Sequence, residues 1–247
     1  MKALIPILIG LLVVGCGKKP SKPETKAKPP SASPAQEANN NQPKTDPTPK
    51  PETKNPEPPK DEPKVEVKNS LTKEESGKVI EAAIRKELKK PTGKLTEADL
   101  EKVTVLGLAN NQLTDVKGLE KLTQLTELYL ESNQLINVTG LEKLTELEVL
   151  HLYNNKLTDV KGLEKLTQLK TLNLANNKLA DVKGLEKLTK LIVLGLENNQ
   201  LTDVKGLEKL TKLTYLNLTY NPDLTKAQID ELQKALPKCT IIHNAEK

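Results

Sequence analysis

Histidine and cysteine, which are frequent in catalytic and metal-binding sites, are scarce in this chain. The 247 residues include two histidines, His151 and His243, and two cysteines. These four residues show no clustering with the spacing of a zinc site, which needs three or four ligands. Glu127 and Glu131 would share one strand, but without an enclosed pocket they are surface charges rather than an acid–base pair. The sequence therefore predicts no enzyme, no metal site and no cofactor.

Cys16 is the residue whose surroundings suggest a covalent modification. It follows an apolar run, residues 3–14, that begins after Lys2. This run of roughly 12 residues is too short for a membrane span, which needs about 20. Its ending, Val13-Val14-Gly15-Cys16, resembles the lipobox of bacterial lipoproteins, which implies that Cys16 becomes the lipidated first residue of the mature chain. The alternative is an ordinary signal peptide followed by a chance cysteine.

The residue after Cys16 bears on where such a lipoprotein would reside. It is Gly17 rather than Asp, and Asp at this position is linked to inner-membrane retention in enteric-type lipoproteins. The resemblance therefore implies a protein exported and lipid-anchored in the bacterial cell envelope, with the outer membrane or cell surface favoured over the inner membrane. Several acyl chains on one residue would anchor it permanently, because each buried CH₂ contributes about 0.8 kcal/mol.

A repeat of 22 residues organises the chain from Leu100 onward. Each copy reads L-x-x-L-x-L-x-x-N-x-L, and the period is given by Asn111, Asn133, Asn155, Asn177, Asn199 and Asn221. A fixed period of this size with this leucine spacing is the signature of a leucine-rich solenoid. The sequence resembles the leucine-rich repeat family, and within it the 22-residue class found in internalins and in many bacterial envelope proteins.

The pattern within one copy predicts a short strand followed by a tight return. Leu128 and Leu130 alternate with outward residues, so both leucines lie on one face of a strand. Beyond the asparagine, Val160, Leu163 and Leu166 recur every third position, which is typical of a 3₁₀-like or extended return. The predicted fold is an α/β solenoid, a leucine-rich repeat horseshoe. It has a short parallel sheet on its concave face, 3₁₀-like or extended convex returns, and helical N- and C-terminal caps.

The repeated asparagines are expected to form a structural ladder. An Asn side chain can both donate to and accept from the backbone where the chain leaves the strand. Because the six asparagines recur once per coil, stacked coils would bring these side chains into one column. We therefore interpret the column as structural rather than as a binding site.

Composition divides the chain into five segments: a lipoprotein signal peptide (1–15), the lipidated Cys16 with a disordered Pro- and Lys-rich linker (16–70), a helical N-terminal cap (71–99), the leucine-rich repeats (100–221) and a C-terminal cap with a helix and last strand (222–247). The linker holds 13 of the 17 prolines and cannot bury a core.

In the C-terminal cap, residues 239–244 match residues 216–221 at an offset of 23. This match predicts a seventh strand with Cys239 and Ile241 pointing inward. Cys239 is interpreted as a small buried hydrophobe, with a reactive or disulfide-bonded thiol as the alternative.

The outward strand positions vary while the rest of each copy repeats, and they collect the scarce aromatic residues. Three of the four tyrosines and one of the two histidines fall there. Tyr is a preferred anchor at protein interfaces because its ring is apolar and its tip is polar. The predicted partner-binding residues are Glu127, Tyr129, Glu131, Val149, His151, Tyr153, Asn173 and Tyr215. The alternative is an exposed strand that tolerates variation and favours Tyr for its β-propensity.

Charge argues against a nucleic-acid partner. The chain has 38 Lys and Arg against 33 Asp and Glu, for a net charge of +5. A nucleic-acid-binding protein would need a basic stripe with stacking aromatics.

Taken together, the lipobox, the repeats and the outward tyrosines predict a membrane-anchored monomer that binds another protein or peptide in the envelope. The alternative function is a structural envelope spacer with no specific ligand.

Overall fold

The computed structural model describes residues 70–246. The predicted signal peptide (1–15), Cys16 and the predicted linker up to residue 69 lie outside the described residues. Within 70–246, no helix has the length and apolar character needed to cross a membrane.

The N-terminal cap consists of two helices, α1 (Lys73–Glu87) and α2 (Glu97–Leu100). Helix α1 begins in a capping box, in which the Glu75 backbone N–H donates to Thr72 Oγ1 over 3.2 Å and Glu75 Oε2 accepts from the Thr72 N–H over 2.6 Å. Each bond satisfies a donor that the start of a helix leaves unpaired. Ile80 and Ile84 are buried against the first coil's core, so α1 covers the apolar end of the solenoid.

Seven parallel strands form one sheet in chain order: β1 (Val105–Gly107), β2 (Glu127–Tyr129), β3 (Val149–His151), β4 (Thr171–Asn173), β5 (Val193–Gly195), β6 (Tyr215–Asn217) and β7 (Thr240–Ile242). From β1 to β6 each residue pairs with the residue 22 positions later, such as Leu128 with Leu150. One strand per repeat, in register, confirms the predicted leucine-rich repeat solenoid.

The returns are tight turns that include short 3₁₀ helices: η1 (Leu119–Lys121), η2 (Leu141–Lys143), η3 (Leu185–Lys187) and η4 (Leu207–Lys209). Gly140 precedes η2 with φ of 112°, a left-handed conformation that favours glycine. Its N–H donates to Glu142 Oε2 over 2.7 Å. This contact closes the turn and fixes the direction in which the chain returns toward the next strand.

The core is an aliphatic stack that runs the length of the solenoid. The leucines of the repeat motif are fully or almost fully buried, including Leu128, Leu150, Leu172 and Leu194 on successive strands. Each leucine contacts those of the coils before and after it, so the coils stabilise one another rather than folding singly. The outward strand residues are therefore presented on a rigid floor.

The C-terminal cap contains α3 (Lys226–Ala235), and β7 follows it. The predicted seventh strand is present, but the predicted register is wrong: Leu216 pairs with Ile241 rather than with Cys239. The Cys239 N–H is still bonded to the Leu236 carbonyl over 3.0 Å, so the turn after α3 occupies the residues that were expected to begin the strand. A shift of two residues preserves the facing of side chains, and Cys239 is buried as predicted, with Ile241 partly buried.

Candidate functional site

The open face of the sheet carries the variable residues of the repeats. We call it the concave face and define it by the outward positions of β1–β6 and of the residues just after each strand: Val105, Gly107, Ala109, Glu127, Tyr129, Glu131, Val149, His151, Tyr153, Thr171, Asn173, Ala175, Val193, Gly195, Glu197, Tyr215, Asn217 and Thr219. Most of these residues are half-buried, which is the exposure expected of side chains that stand on a sheet and lean on their neighbours.

Tyr129, His151 and Tyr153 form a continuous ring cluster on the concave face. Strand pairing places Tyr129 beside His151. Their ring centroids are 5.2 Å apart, with an interplanar angle of 83°, which is an edge-to-face contact. The Tyr153 ring follows at 6.5 Å from His151, tilted by 57°. Edge-to-face geometry is the favourable arrangement for rings, so the cluster forms a preordered apolar patch.

Glu127 fixes the orientation of Tyr129. The Tyr129 hydroxyl donates to Glu127 Oε2 over 2.6 Å. This hydrogen bond, together with burial and the charges of Glu127 and Glu131, raises the pKa of Tyr129 to about 12. The hydroxyl is therefore held as a neutral donor whose direction is set by Glu127.

The pKa of His151 is subject to opposing effects. Burial is the largest effect and lowers its pKa below the ordinary value of 6.5, while Glu131 and Glu127 act in the opposite direction. The imidazole is accordingly neutral near pH 7. A neutral ring between two tyrosines extends the apolar patch while keeping a polar nitrogen at its edge.

Glu131 sits beside this cluster with an unmet hydrogen-bonding capacity. Its Oε2 atom is buried and has no hydrogen-bond partner among the described residues. Glu197, three coils further on, has the same property at its Oε2. An unpaired buried acceptor is destabilising by about 1–3 kcal/mol, so both carboxylates would gain from a donor supplied by a ligand.

The sequence-based selection missed Glu197. It stands close to Asn173, which that selection did include. A β-carbon placed on Gly195 would lie 3.0 Å from Asn173 Oδ1 and 3.2 Å from Glu197 Oε2, so both oxygens lean over the bare α-carbon of Gly195. The available signal was that Glu197 occupies the same repeat position as Glu131, three periods later in the chain.

The remaining predicted face residues lie at increasing distance from the ring cluster. Val149 is on β3, in register between Glu127 and Thr171. Asn173, on β4, pairs with His151 on β3. The Asn173 Oδ1 atom accepts from the Ala175 N–H over 3.0 Å. Tyr215 is on β6, separated from the ring cluster by β4 and β5. The structure thus brings most of the predicted residues together and leaves Tyr215 as a separate feature.

The asparagine column lies beneath the concave face and binds backbone. Asn155 Oδ1 accepts from the Leu135 N–H over 3.1 Å, and its Nδ2 donates to the carbonyls of Leu130 and Leu152, each over 3.0 Å. The same contacts, to the preceding coil and to the residue's own coil, are made by Asn133, Asn177, Asn199 and Asn221.

Asn111, the first member of the column, differs from the rest. It is half-buried, and its Nδ2 donates to the Ala109 carbonyl over 2.8 Å. Because Asn111 belongs to the first coil, there is no preceding repeat whose carbonyl it could reach. Its side chain closes its own turn, and only its backbone N–H bonds to the next coil, at Asn133 Oδ1 over 3.1 Å.

In the part of the chain that the structure describes, no group of three or more His, Cys, Asp or Glu residues is placed to hold a metal ion. The concave face is an open sheet with an aromatic patch, two unsatisfied carboxylates and little enclosure. This arrangement is suited to contact with an extended surface rather than to the sequestration of a small molecule.

Comparison with known proteins finds a matching protein family and solved structures with this architecture. The family model described as Leucine Rich repeats (2 copies) matches residues 101–143, 145–187 and 189–234. An internalin (InlF) from Listeria monocytogenes is 30% identical, with a TM-score of 0.62 over 68% of this chain and 51% of that one. The functional domain of InlJ from the same organism is 26% identical, with a TM-score of 0.50 over 68% and 42%. No curated protein matches the sequence.

The chain spans about half the length of the internalin InlF structure it matches. Leucine-rich repeats typically serve as protein–protein interaction modules and are generally non-enzymatic scaffolds.

Proposed function

Because this chain belongs to the leucine-rich repeat family, we propose that it is a binding module that recognises another protein or peptide on its concave face. The observation that carries this proposal is the ring cluster of Tyr129, His151 and Tyr153. In a chain with four Tyr and no Phe or Trp, three of the four tyrosines stand on this one face. Interfaces draw most of their binding energy from a few such aromatic anchors.

The open geometry supports a macromolecular partner. Tyr129 and His151 lie on adjacent strands, where their rings contact each other and the Tyr129 hydroxyl is bonded to Glu127. These contacts reduce the side-chain freedom that remains to be lost on binding. Preordering of this kind improves affinity because the cost of fixing interface side chains is met in the free protein.

The proposal includes attachment to the bacterial cell envelope, where the module acts as a monomer. Support comes from the apolar run that ends in Val13-Val14-Gly15-Cys16. Lipid on Cys16 would hold the chain at the outer membrane or cell surface, and residues 16–70 would serve as the spacer between lipid and repeats.

The anchor is tested by detergent phase partitioning of the full chain produced in a bacterial host. Wild-type protein is expected in the detergent phase and Cys16→Ser in the aqueous phase. A Cys239→Ser variant serves as the control for loss of a thiol and should partition as the wild type does. Aqueous partitioning of the wild type would overturn the lipid anchor.

The binding face is tested by capture of partners from envelope fractions and growth medium. Tyr129→Ala/Tyr153→Ala removes two anchors, while Lys121→Ala/Lys143→Ala alters exposed residues on the convex returns. Loss of the captured protein with the first pair alone supports the concave face. Equal capture by both variants would transfer the site to the convex side or the caps. Absence of any specific capture by the wild type would favour the spacer function.

A further inference from the structure

The concave face is acidic in a way that the rest of the repeats are not. Its charged residues are Glu127, Glu131 and Glu197, and none of the chain's 38 Lys and Arg residues occupies a concave-face position. The nearest lysine in sequence, Lys170, precedes β4 and is paired with Glu148, with Nζ and Oε2 2.7 Å apart. An all-negative face in a chain of net charge +5 is complementary to a basic ligand.

The three carboxylates are not equivalent. Glu127 is engaged by the Tyr129 hydroxyl, whereas one oxygen of Glu131 and one of Glu197 are buried without a partner. Each of the two has a polar or aromatic companion. Glu131 adjoins the ring cluster, whose π faces attract cations, and Glu197 shares the space over Gly195 with Asn173 Oδ1. A cationic side chain that draws either carboxylate away from the sheet would supply the hydrogen-bond donor that its buried oxygen lacks.

The separation of these two glutamates follows from the backbone pairing. Successive N–H groups donate to the carbonyls of Glu131, Tyr153, Ala175 and Glu197, over 2.9–3.0 Å. These four residues therefore form one column across neighbouring coils. Three strand spacings of about 4.8 Å place Glu131 and Glu197 about 14 Å apart.

The residues between the two glutamates provide the floor of the column. Tyr153 is half-buried, and Ala175 is 2% exposed. Ala175 is small and almost fully buried, so its side chain does not project from the sheet between Tyr153 and Glu197.

We propose, on the premise that the concave face is the binding face, that this column binds an extended, basic peptide segment with two cationic side chains four residues apart. An extended chain advances about 3.4 Å per residue, so residues i and i+4 lie about 14 Å apart and point to the same side. One cation meets Glu131 beside the rings. The other meets Glu197 and Asn173, where an arginine fork reaches two acceptors at once. Residue i+2 faces the position of Ala175, where no long side chain projects from the sheet.

The experiment measures the binding of two fluorescent peptides to the full-length protein in detergent at low salt. Both contain two arginines, one central tyrosine and the same overall composition; the arginines are four residues apart in one and two residues apart in the other. The first peptide is expected to bind about tenfold more tightly, because only it can engage both carboxylates. Equal affinities would overturn the proposal, since they would reveal attraction by net charge alone.

Isosteric variants identify the carboxylates. Glu131→Gln and Glu197→Gln should each reduce binding of the first peptide to the level of the second. Glu146→Gln, which neutralises an exposed carboxylate away from the face, should leave the preference unchanged. An equal loss with Glu146→Gln, or no loss with either face variant, overturns the dibasic site. If the peptide preference is absent while Tyr129→Ala/Tyr153→Ala still abolishes capture of the native partner, this inference fails and the proposed function stands.

Discussion

Tyr129 donates its hydroxyl hydrogen to Glu127 Oε2 across 2.6 Å, and this pair determines how the largest aromatic patch of the molecule is presented. The two residues are two positions apart on β2, so both stand on the same face of the strand. The bond directs the polar tip of Tyr129 along its own strand, while the ring makes an edge-to-face contact with His151. A carboxylate that would otherwise repel an apolar ligand is thereby used to orient an anchor.

Removal of this bond should change the titration of Tyr129. The Glu127 hydrogen bond is the largest cause of its raised pKa, about 12 against an ordinary value of 10.0. Glu127→Gln is therefore expected to lower the pKa toward 10.0. Because the folded-state pKa lies above the ordinary value, the stabilisation is fully present below pH about 10 and is lost as the pH rises through about 12.

Tyrosinate absorbance during a pH titration is the measurement, with Tyr129→Phe to assign the late-titrating group among the four tyrosines. If all four tyrosines of the wild type titrate together near the ordinary value, the hydrogen bond to Glu127 does not hold the proton in solution.

Substitution of a buried asparagine should reduce the free energy of unfolding more than substitution of Asn111, the first member of the column. Asn155→Ala leaves the buried Leu135 N–H without its partner and removes one of the two amide donors to the Leu130 carbonyl, which keeps the bond from Asn133. The expected loss in free energy of unfolding is on the order of 2–4 kcal/mol. Asn111→Ala removes a bond within a half-buried turn and should cost about 1 kcal/mol or less. Equilibrium unfolding in urea compares the two variants; equal losses would contradict the assignment of the ladder as the link between coils.

The fold could be predicted from the sequence because its signals are periodic. Leu128 and its equivalents recur with a constant step, so one repeat fixes the facing of every strand, and tertiary packing reinforces what each copy dictates locally. The register of β7 could not be predicted in the same way. Helix α3 interrupts the period, and the turn that includes Cys239 consumes two residues for which no repeat provides a template.

The candidate site was predicted in part for a related reason. Tyr129, His151 and Tyr153 stand out by residue type, and their adjacency follows from the period. Glu197 does not stand out, because glutamates are abundant in the chain. Its unmet oxygen depends on the absence of a side chain at Gly195 and on the direction of Asn173, which are properties of three-dimensional packing.

Tyr220 occupies a backbone conformation that its side chain disfavours. Its φ is 58°, and it is 67% exposed. The equivalent position one coil earlier is Asn198, with φ of 52°. Asn tolerates the left-handed region better than other L residues, for which it costs roughly 1–2 kcal/mol. Tyr220→Asn is therefore expected to raise the free energy of unfolding by about 0.5–1 kcal/mol.

The reciprocal variant, Asn198→Tyr, is the matched control and should destabilise the protein. Thermal and urea unfolding of both variants give the comparison. A loss of stability on Tyr220→Asn would indicate that the tyrosine ring makes a stabilising contact that outweighs the backbone strain.

His151 provides a direct measure of the field on the concave face. Burial lowers its pKa, and Glu131 is the larger of the two charges that counteract this effect. Glu131→Gln should therefore lower the pKa of His151 further, whereas Glu146→Gln should leave it unchanged. Because the folded-state pKa is depressed, the neutral imidazole contributes stability that is present above the ordinary value of 6.5 and is lost as the pH falls through the folded value. The Glu131→Gln protein should accordingly lose more stability on acidification than the Glu146→Gln protein.

Imidazole proton resonances followed by NMR report the titration, with His243→Gln to assign the two signals. An unchanged or raised pKa in Glu131→Gln would show that the Glu131 carboxylate does not face the ring cluster, and would remove the first of the two carboxylates assigned to the basic ligand.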